Sequence, residues 1–493
     1  MVRSEKPNGR PIRTLAVVIS SDIVNAMAGP ARKSRAQRGE RPSRRRAGAP
    51  RAVPRASQRE RLIDAITELA GQHGYQNVTI AQISGRAGVS SATFYEQFAD
   101  REECLLAAYR QASARTLERM QSSLQDVGWA SAIRPAFTQL LRSVEADPDA
   151  GRVMFVEALA GGPRVRGAVR SLLDGMERNA EVLLENAPPG GATLDLPGRA
   201  LLGAMRHVVS RHLRTHSEDR LARLTDDVLA SMGSYAVPQA AGRWSTSPEA
   251  LLAAVPATVQ SPPEGELERL PRGRHSLPPG AVTRSQRARI IHATAAVTME
   301  KGYANTTVAE IVASAGVAKE AFYRHFGDKQ EAFLAAQEAP GQAILEALVR
   351  AYFSVDEWHE RVWLTMRTLL ALIAANPVMS HLRLVECYAA GATAAQRGEE
   401  ITRTFTIFLE EGYRRRPEAA ALPRLVPQAI SGAIFEIVQG EVEGGRTREL
   451  PRRLPQLAYI AIAPFYGPEA AVERVRRLLA ADARGGEQPA RAQ

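Results

Sequence analysis

The chain has two cysteines in 493 residues, Cys104 and Cys387. So isolated a pair offers neither a disulfide framework nor metal-ligand spacing, and it fits a reducing compartment. Aromatic residues are only 5% of the sequence. Their scarcity beside abundant alanine favours helices over strands. No apolar run approaches the ~18 residues of a membrane span, so no membrane partner is expected. The apolar stretch at 15–28 follows basic residues as a secretory leader would. Ser20, Ser21, Asp22 and Asn25 interrupt it, and no leader is expected. There is no phosphate-binding glycine loop, dinucleotide fingerprint, nucleophile elbow or zinc-protease helix motif. The expectation is therefore no enzyme activity, no cofactor and no metal.

Hydrophobic residues make up 45% and charged residues 24%, ordinary usage for a globular chain. The length allows about two to four domains. The formal net charge of +11 is unevenly placed: residues 1–61 hold 16 Lys/Arg against four acids. The rest of the chain is close to neutral. Residues 1–56 read as a disordered basic arm, drawn to phosphate backbones by counterion release. The competing reading is a solvated leader without a partner.

Residues 57–109 and 285–337 align without gaps at an offset of 228, with 23 of 53 positions identical. The likeness continues at an offset of 229, where Val156, Glu157 and Ala160 match Val385, Glu386 and Ala389. Further on, Ala200, Gly203 and Ala204 match Ala429, Gly432 and Ala433. A period this long marks a duplicated domain rather than a solenoid. Between the copies, residues 236–284 carry eight prolines and read as a linker.

Inside each copy the pattern is that of a helix-turn-helix. Leu62, Ile63, Ile66 and Leu69 give a first helix one apolar face. Thr79 stands where an N-cap belongs, and the next helix covers about residues 80–87. Gly88, Val89 and Ser90 form a tight turn in which serine caps a third helix. Phe94 and Phe98 anchor that helix at i, i+4 while Tyr95 faces out, and Asp100 opens the following helix. The second copy repeats the scheme with Thr307, Ile311, Gly316, Phe322, Tyr323, Phe326 and Asp328.

These residues resemble the TetR family of regulators in both copies. The resemblance implies an all-α chain of two TetR-like units, each with a three-helix helix-turn-helix domain and a helical ligand-binding and dimerising body. The domains would be 57–109 and 285–337 for the heads, 110–235 and 338–470 for the bodies, and 471–493 for a tail. By that resemblance, Thr79, Tyr95 and Arg101, with Thr307, Tyr323 and Lys329, contact phosphates. The groove would be faced by Ser90, Ser91, Ala92, Thr93, Glu96 and Gln97. In copy two these positions are Ala318, Lys319, Glu320, Ala321, Arg324 and His325. Copy two departs from the pattern by replacing the capping serine with Ala318. It also places Glu320 near phosphates, which is unfavourable unless it reads cytosine.

The function implied is a ligand-responsive transcriptional repressor, cytoplasmic at the nucleoid, binding a double-stranded DNA operator and an unknown small-molecule effector. Two alternatives stay open: copy two is a degenerate sensor and dimerisation unit, or the chain binds DNA non-specifically through its arm. Aromatics such as Tyr352, Trp358 and Trp363 serve as plain core or line a pocket. His207, His212 and His216 cluster, but Arg206, Arg211 and Arg214 beside them would repel a metal ion. An intramolecular pseudo-dimer is expected, since a flexible tether of about 49 residues spans ~35–42 Å. Recognition helices on successive groove faces stand about 34–36 Å apart. A homodimer of tandem chains is the rival arrangement.

Deletion of residues 1–50 is expected to weaken binding to every DNA sequence and to flatten its salt dependence. Binding isotherms across a salt series check this, and an unchanged slope in the truncated chain rules the arm out as a phosphate contact.

Overall fold

The computed structural model describes residues 55–123, 129–185, 193–194, 196–215, 221–237, 280–339 and 341–485. Residues 1–54, most of the proline-rich stretch, His216 and the end of the tail lie outside the described residues. The described residues form two compact units, those up to 185 with 221–225, and 193–215 with those from 226 onward.

The first unit holds α1 (Arg55–His73), α2 (Ile80–Ala87), α3 (Ser91–Gln97), α4 (Arg101–Ser123), α5 (Trp129–Ala146), α6 (Pro148–Arg152) and α7 (Pro163–Glu185). Asp147 caps α6 and Pro148 opens it, where a missing N–H costs nothing. α6 continues through a π-type turn at Val153–Glu157. Leu62 and Ile66 of α1, Ile83 of α2, Phe94 and Phe98 around α3, and Leu105 of α4 are all buried. The apolar spacing of the sequence therefore converges on one core beneath the helix-turn-helix.

The second unit contains α8 (Gly198–Thr215) and, after α9 (Leu221–Gly233), the whole second repeat. Its head is built from α10 (Ala281–Lys301), α11 (Val308–Ala315), α12 (Lys319–His325) and α13 (Lys329–Glu338). Its body has α14 (Gly341–Tyr352), α15 (Trp358–Ala375), α16 (Pro377–Leu384), α17 (Ala392–Arg415), α18 (Val426–Glu443), α19 (Leu454–Tyr466) and α20 (Pro468–Gly485). The head core gathers Ile290, Ile311, Phe322, Phe326 and Phe333. The body core gathers Trp358, Trp363, Leu409, Ile430, Ile434 and Tyr459, and it includes Ala200 of α8. Tyr352, Trp358 and Trp363 are thus core residues.

Three expectations change here, the first being the tail expected from residue 471, which begins inside α20 with Ala471 and Val475 in the body core. The division expected after residue 235 is not where the packing divides, because α8 of the first repeat lies along α18 of the second. The reason is small side chains, Ala200 and Gly203, where the helices meet. The fold is all-α apart from two strands of two residues each, β1 (Thr193–Leu194) and β2 (Ala236–Val237), paired antiparallel. The first two residues assigned to the linker are therefore strand. Among the described residues no single helix is long and apolar enough to cross a membrane.

The two short helices α2 and α11 begin in the same capping box with one chemical difference. Gln82 closes the first box and Glu310 the second. Hydrogen bonds from Lys301 and Thr307 pull the Glu310 carboxyl down to about 2 from 4.5. A depressed carboxylate contributes stability above its unfolded value, and that contribution is lost as pH falls from about 4.5 through about 2. Acidification is therefore expected to speed amide exchange in α11 ahead of α2, where glutamine does not titrate. Exchange measured at pH 5 and pH 3 checks this; equal loss of protection in both helices counts against it.

Candidate nucleic-acid interface

Each helix-turn-helix is built from paired caps around one left-handed residue. In the first, Gln82 N donates to Thr79 Oγ1 at 3.3 Å and Thr79 N donates to Gln82 Oε1 at 2.8 Å. Thr307 and Glu310 repeat both bonds at 3.3 and 3.0 Å. Gly88 ends α2 at φ 62°, ψ 40°, and Gly316 ends α11 at φ 61°, ψ 39°. Only glycine adopts that backbone without strain, and an added methyl group at Gly88 would also strike the Arg61 guanidinium. Arg289, the equivalent of Arg61, donates to the Gly316 carbonyl at 2.7 Å. The second turn is thus held by a helix-one arginine as well as by its backbone.

The next cap separates the copies. Ser90 Oγ accepts from Thr93 N at 3.0 Å, whereas Ala318 leaves α12 without a side-chain cap. Phe94 and Phe98 pack 5.7 Å apart, and Phe322 and Phe326 5.9 Å apart, fixing the same face inward. Tyr95 and Tyr323 are 59% and 51% exposed, the opposite extreme from the buried phenylalanines beside them. Ser91, Ala92 and Glu96 are exposed, as are Ala318, Lys319, Glu320 and Arg324. Thr93, Gln97 and His325 are half-buried. Burial and the neighbouring Arg324 and Arg287 push the His325 pKa down. Ala321 is a correction: at 1% exposure it packs into the head core and cannot face a groove. Its position on the inner turn of α12, beside Phe322, explains the burial.

Arg101 and Lys329, expected at phosphates, bond to the protein's own backbone. Arg101 donates to the Val78 carbonyl, and its guanidinium lies 4.3 Å from the Tyr75 ring centre. Lys329 donates to the Tyr303 and Thr306 carbonyls at 3.0 and 2.9 Å, with its ammonium 4.4 Å from the Tyr303 ring. Burial lowers the Lys329 pKa. Both cations hold the segment leading into α2 or α11, so they position Thr79 and Thr307.

Sequence reasoning passed over a further pair. Glu157 is buried and accepts from the Tyr75 backbone N–H at 2.8 Å. Glu386 does the same for Tyr303 at 2.8 Å. Arg152 lies 3.4 Å from Glu157, and His381 lies 3.6 Å from Glu386. Each carboxylate ties a body to the end of the first helix of its head. Its trace in the sequence is the repeated Val-Glu at an offset of 229, which by itself shows only duplication.

A cleft of about 380 Å³ in the first unit lies between α1, α4, α5 and α6. Asp64, Glu68, Asp149, Arg115 and Arg119 make its lining polar. Burial raises the Asp149 pKa, although Gln72 donates to it at 3.3 Å. His292, Ala296 and Val378 stand at the second-copy positions of Asp64, Glu68 and Asp149, so these acids belong to copy one alone. Cys104 and Cys387 are both free thiols in buried positions, and burial raises their pKa values. Among the described residues no cluster of His, Cys, Asp or Glu has metal-binding geometry.

Tyr95→Phe and Tyr323→Phe are expected to weaken DNA binding two- to tenfold on every sequence, the roughly 0.5–1.5 kcal/mol of one hydrogen bond. Gln97→Ala and Arg324→Ala should instead change base preference, each in one half-site. Selection of bound fragments from a random pool reads both effects. An Arg324→Ala variant with every preference intact removes α12 from base reading.

The family model described as bacterial regulatory proteins, tetR family, matches at residues 62–108 and 290–336. The Fatty acid metabolism regulator protein of Bacillus subtilis (strain 168) is 21% identical over 174 residues, 34% of this chain and 90% of its own length. The solved structure of the fatty acid degradation regulator FadR from Bacillus halodurans is 20% identical with a TM-score of 0.33, covering 36% of this chain and 94% of its own. FadR from Bacillus subtilis in complex with stearoyl-CoA is 19% identical with a TM-score of 0.31, covering 35% of this chain and 96% of its own. About a third of this chain thus spans nearly the whole of each relative. With the family match falling on both helix-turn-helix segments, the chain carries two TetR-type helix-turn-helix domains in tandem, the arrangement of a tandem TetR-type regulator.

Proposed function

We propose that the chain is a ligand-responsive repressor that reads one asymmetric operator through two unlike heads paired within a single polypeptide. The observation that carries this reading is the packing of α8 on α18, the same helix of the two repeats. Such a pairing supplies within one chain what two identical chains supply in a symmetric dimer. A tether also makes the pairing intramolecular, at an effective concentration of roughly millimolar.

The two heads present different chemistry. α3 offers Ser91, Ala92, Tyr95, Glu96 and Gln97, with Ser90 and Thr93 at its start. α12 offers Lys319, Glu320, Arg324 and His325, with Tyr323 at the phosphate position. Gln97 suits adenine, Arg324 suits guanine, and Glu320 suits the cytosine amino group. Thr79 and Thr307 bring helix N-termini toward phosphate, a favourable place for an anion. Arg101 and Lys329 act by holding those termini. The two basic residues of α12 against its single acid support DNA reading by the second copy as well as the first. The missing cap at Ala318 favours a weaker contribution from that copy, by ~1 kcal/mol of helix stability.

The helical bodies are the effector-binding parts in this reading. The curated relative's name directs the first search for the effector to metabolites of fatty-acid metabolism. Binding there would release DNA through the body-to-head links at Glu157 and Glu386. No step of the proposal calls for catalysis.

Sedimentation and footprinting with an operator selected from genomic fragments test the arrangement. The expected species has the 53.5 kDa mass of one chain and protects a single site with unlike halves. A stable species of twice that mass at sub-micromolar concentration, protecting two palindromes, sinks the intrachain pair in favour of a homodimer of tandem chains.

A further inference from the structure

α8 and α18 align residue for residue at an offset of 229, with Gly203 on Gly432 and His207 on Glu436. Their backbones meet at these glycines. A methyl group added at Gly203 would sit 3.0 Å from the Gly432 carbonyl oxygen, and one added at Gly432 would sit 3.1 Å from the Gly203 carbonyl oxygen. Over each glycine stands the matching residue of the opposite helix, Glu436 over Gly203 and His207 over Gly432. The crossing therefore has two-fold symmetry in its backbone.

In charge it does not. α8 carries Arg199, Arg206, Arg211 and Arg214 and no acid. α18 carries Glu436, Glu441 and Glu443 and no lysine or arginine. Glu436 is 4% exposed, so its carboxylate needs partners from the protein. Arg206 supplies an ion pair, and Arg199 lies 3.8 Å away. Arg206 also donates to Gln439 at 3.4 Å. Toward the end of α8, Arg214 pairs with Glu399 of α17. The matching residue across the pseudo-axis, His207, is held neutral with its pKa near 4, by burial and then by Arg206, Arg214 and Arg211.

We infer that the α8–α18 crossing is keyed by charge so that it accepts only unlike copies, Glu436 against Arg199 and Arg206 being the key. The inference rests on reading the two repeats as an intrachain pair. Two α8 helices crossing at Gly203 would gather both sets of Arg199 and Arg206 around His207 with no carboxylate. They would also set Arg214 against Arg170, the first-repeat equivalent of Glu399. Two α18 helices would bury Glu436 against Gln428 and Phe435, the equivalents of Arg199 and Arg206, and set Glu443 against Glu399. Each like pairing strands buried charge of one sign, which excludes it more strongly than any lost apolar contact. The glycines alone would permit all three pairings. The partner that fits α8 is therefore the second repeat and not a second copy of the first.

A charge-swap cycle in the full-length chain tests this, with the variants Glu436→Arg, Arg206→Glu and the two combined. Urea unfolding is the readout. Each single reversal is expected to lower the folded-to-unfolded ratio about tenfold or more, and the double variant to regain most of it. Losses that simply add overturn the inference. Should a reversal fail to accumulate as folded protein, Glu436→Gln with Arg206→Gln yields the same coupling. A second measurement reads pairing choice. A Glu436→Arg chain mixed with an Arg199→Glu/Arg206→Glu chain should form a one-to-one complex of twice the chain mass, and no complex on mixing also overturns it. Wild-type chains found as dimers would sink the intrachain reading alone, since the cycle still reports the charge key between chains.

Discussion

A left-handed glycine sits between the two short helices of each head, and the direction of the recognition helix depends on it. Gly88 and Gly316 reverse the backbone at nearly identical angles, so α3 and α12 leave their turns in the same direction. Any other residue there carries a steric cost of about 1–2 kcal/mol. The two phenylalanines of each recognition helix then lock its rotation, which puts Tyr95 and Tyr323 outward. The outward surface of each head thus follows from one backbone angle and one pair of rings in each copy.

Placing that surface on a body takes a second device, and it is electrostatic. Glu157 and Glu386 leave helical bodies to accept from the backbone N–H groups of Tyr75 and Tyr303. Arg101 and Lys329 grip carbonyls in the same two segments from the other side. A head is therefore clamped between an anion and a cation at the residues just before its capping threonine.

The duplication leaves backbone and charge under different pressures. The heads keep their glycines, phenylalanines and capping threonines in both copies, because the turn admits few alternatives. The exposed positions between them have diverged, from Ser91, Ala92 and Glu96 to Lys319, Glu320 and Arg324. The crossing helices show the same split. Gly203 and Gly432 persist because the backbones touch, while the residues around them have become cationic on α8 and anionic on α18. Two identical chains could not make that division of charge, and two unlike repeats can.

The helical class, both helix-turn-helix segments and the capping threonines were legible in the sequence alone, because each rests on local spacing that a window of ten to twenty residues contains, and the repeat was legible from its gapless match at an offset of 228. Exposure of Tyr95 and Tyr323 followed from the same i, i+4 logic. Burial of Ala321 was not legible, since its alanine reads alike on either face of α12 and only the head core assigns it inward. Arg101 and Lys329 carry charges that suit phosphate as well as carbonyl oxygen, and only the tertiary structure brings the carbonyls of Val78 and Thr306 to them. Glu157 and Glu386 were visible as a repeated residue but not as clamps, because their partners lie 82 and 83 residues away. The assignment of α8 to the second unit was likewise a tertiary decision. An apolar, glycine-bearing helix face states that something must cover it, and only packing against α18, with Glu436 seated among arginines, says what does.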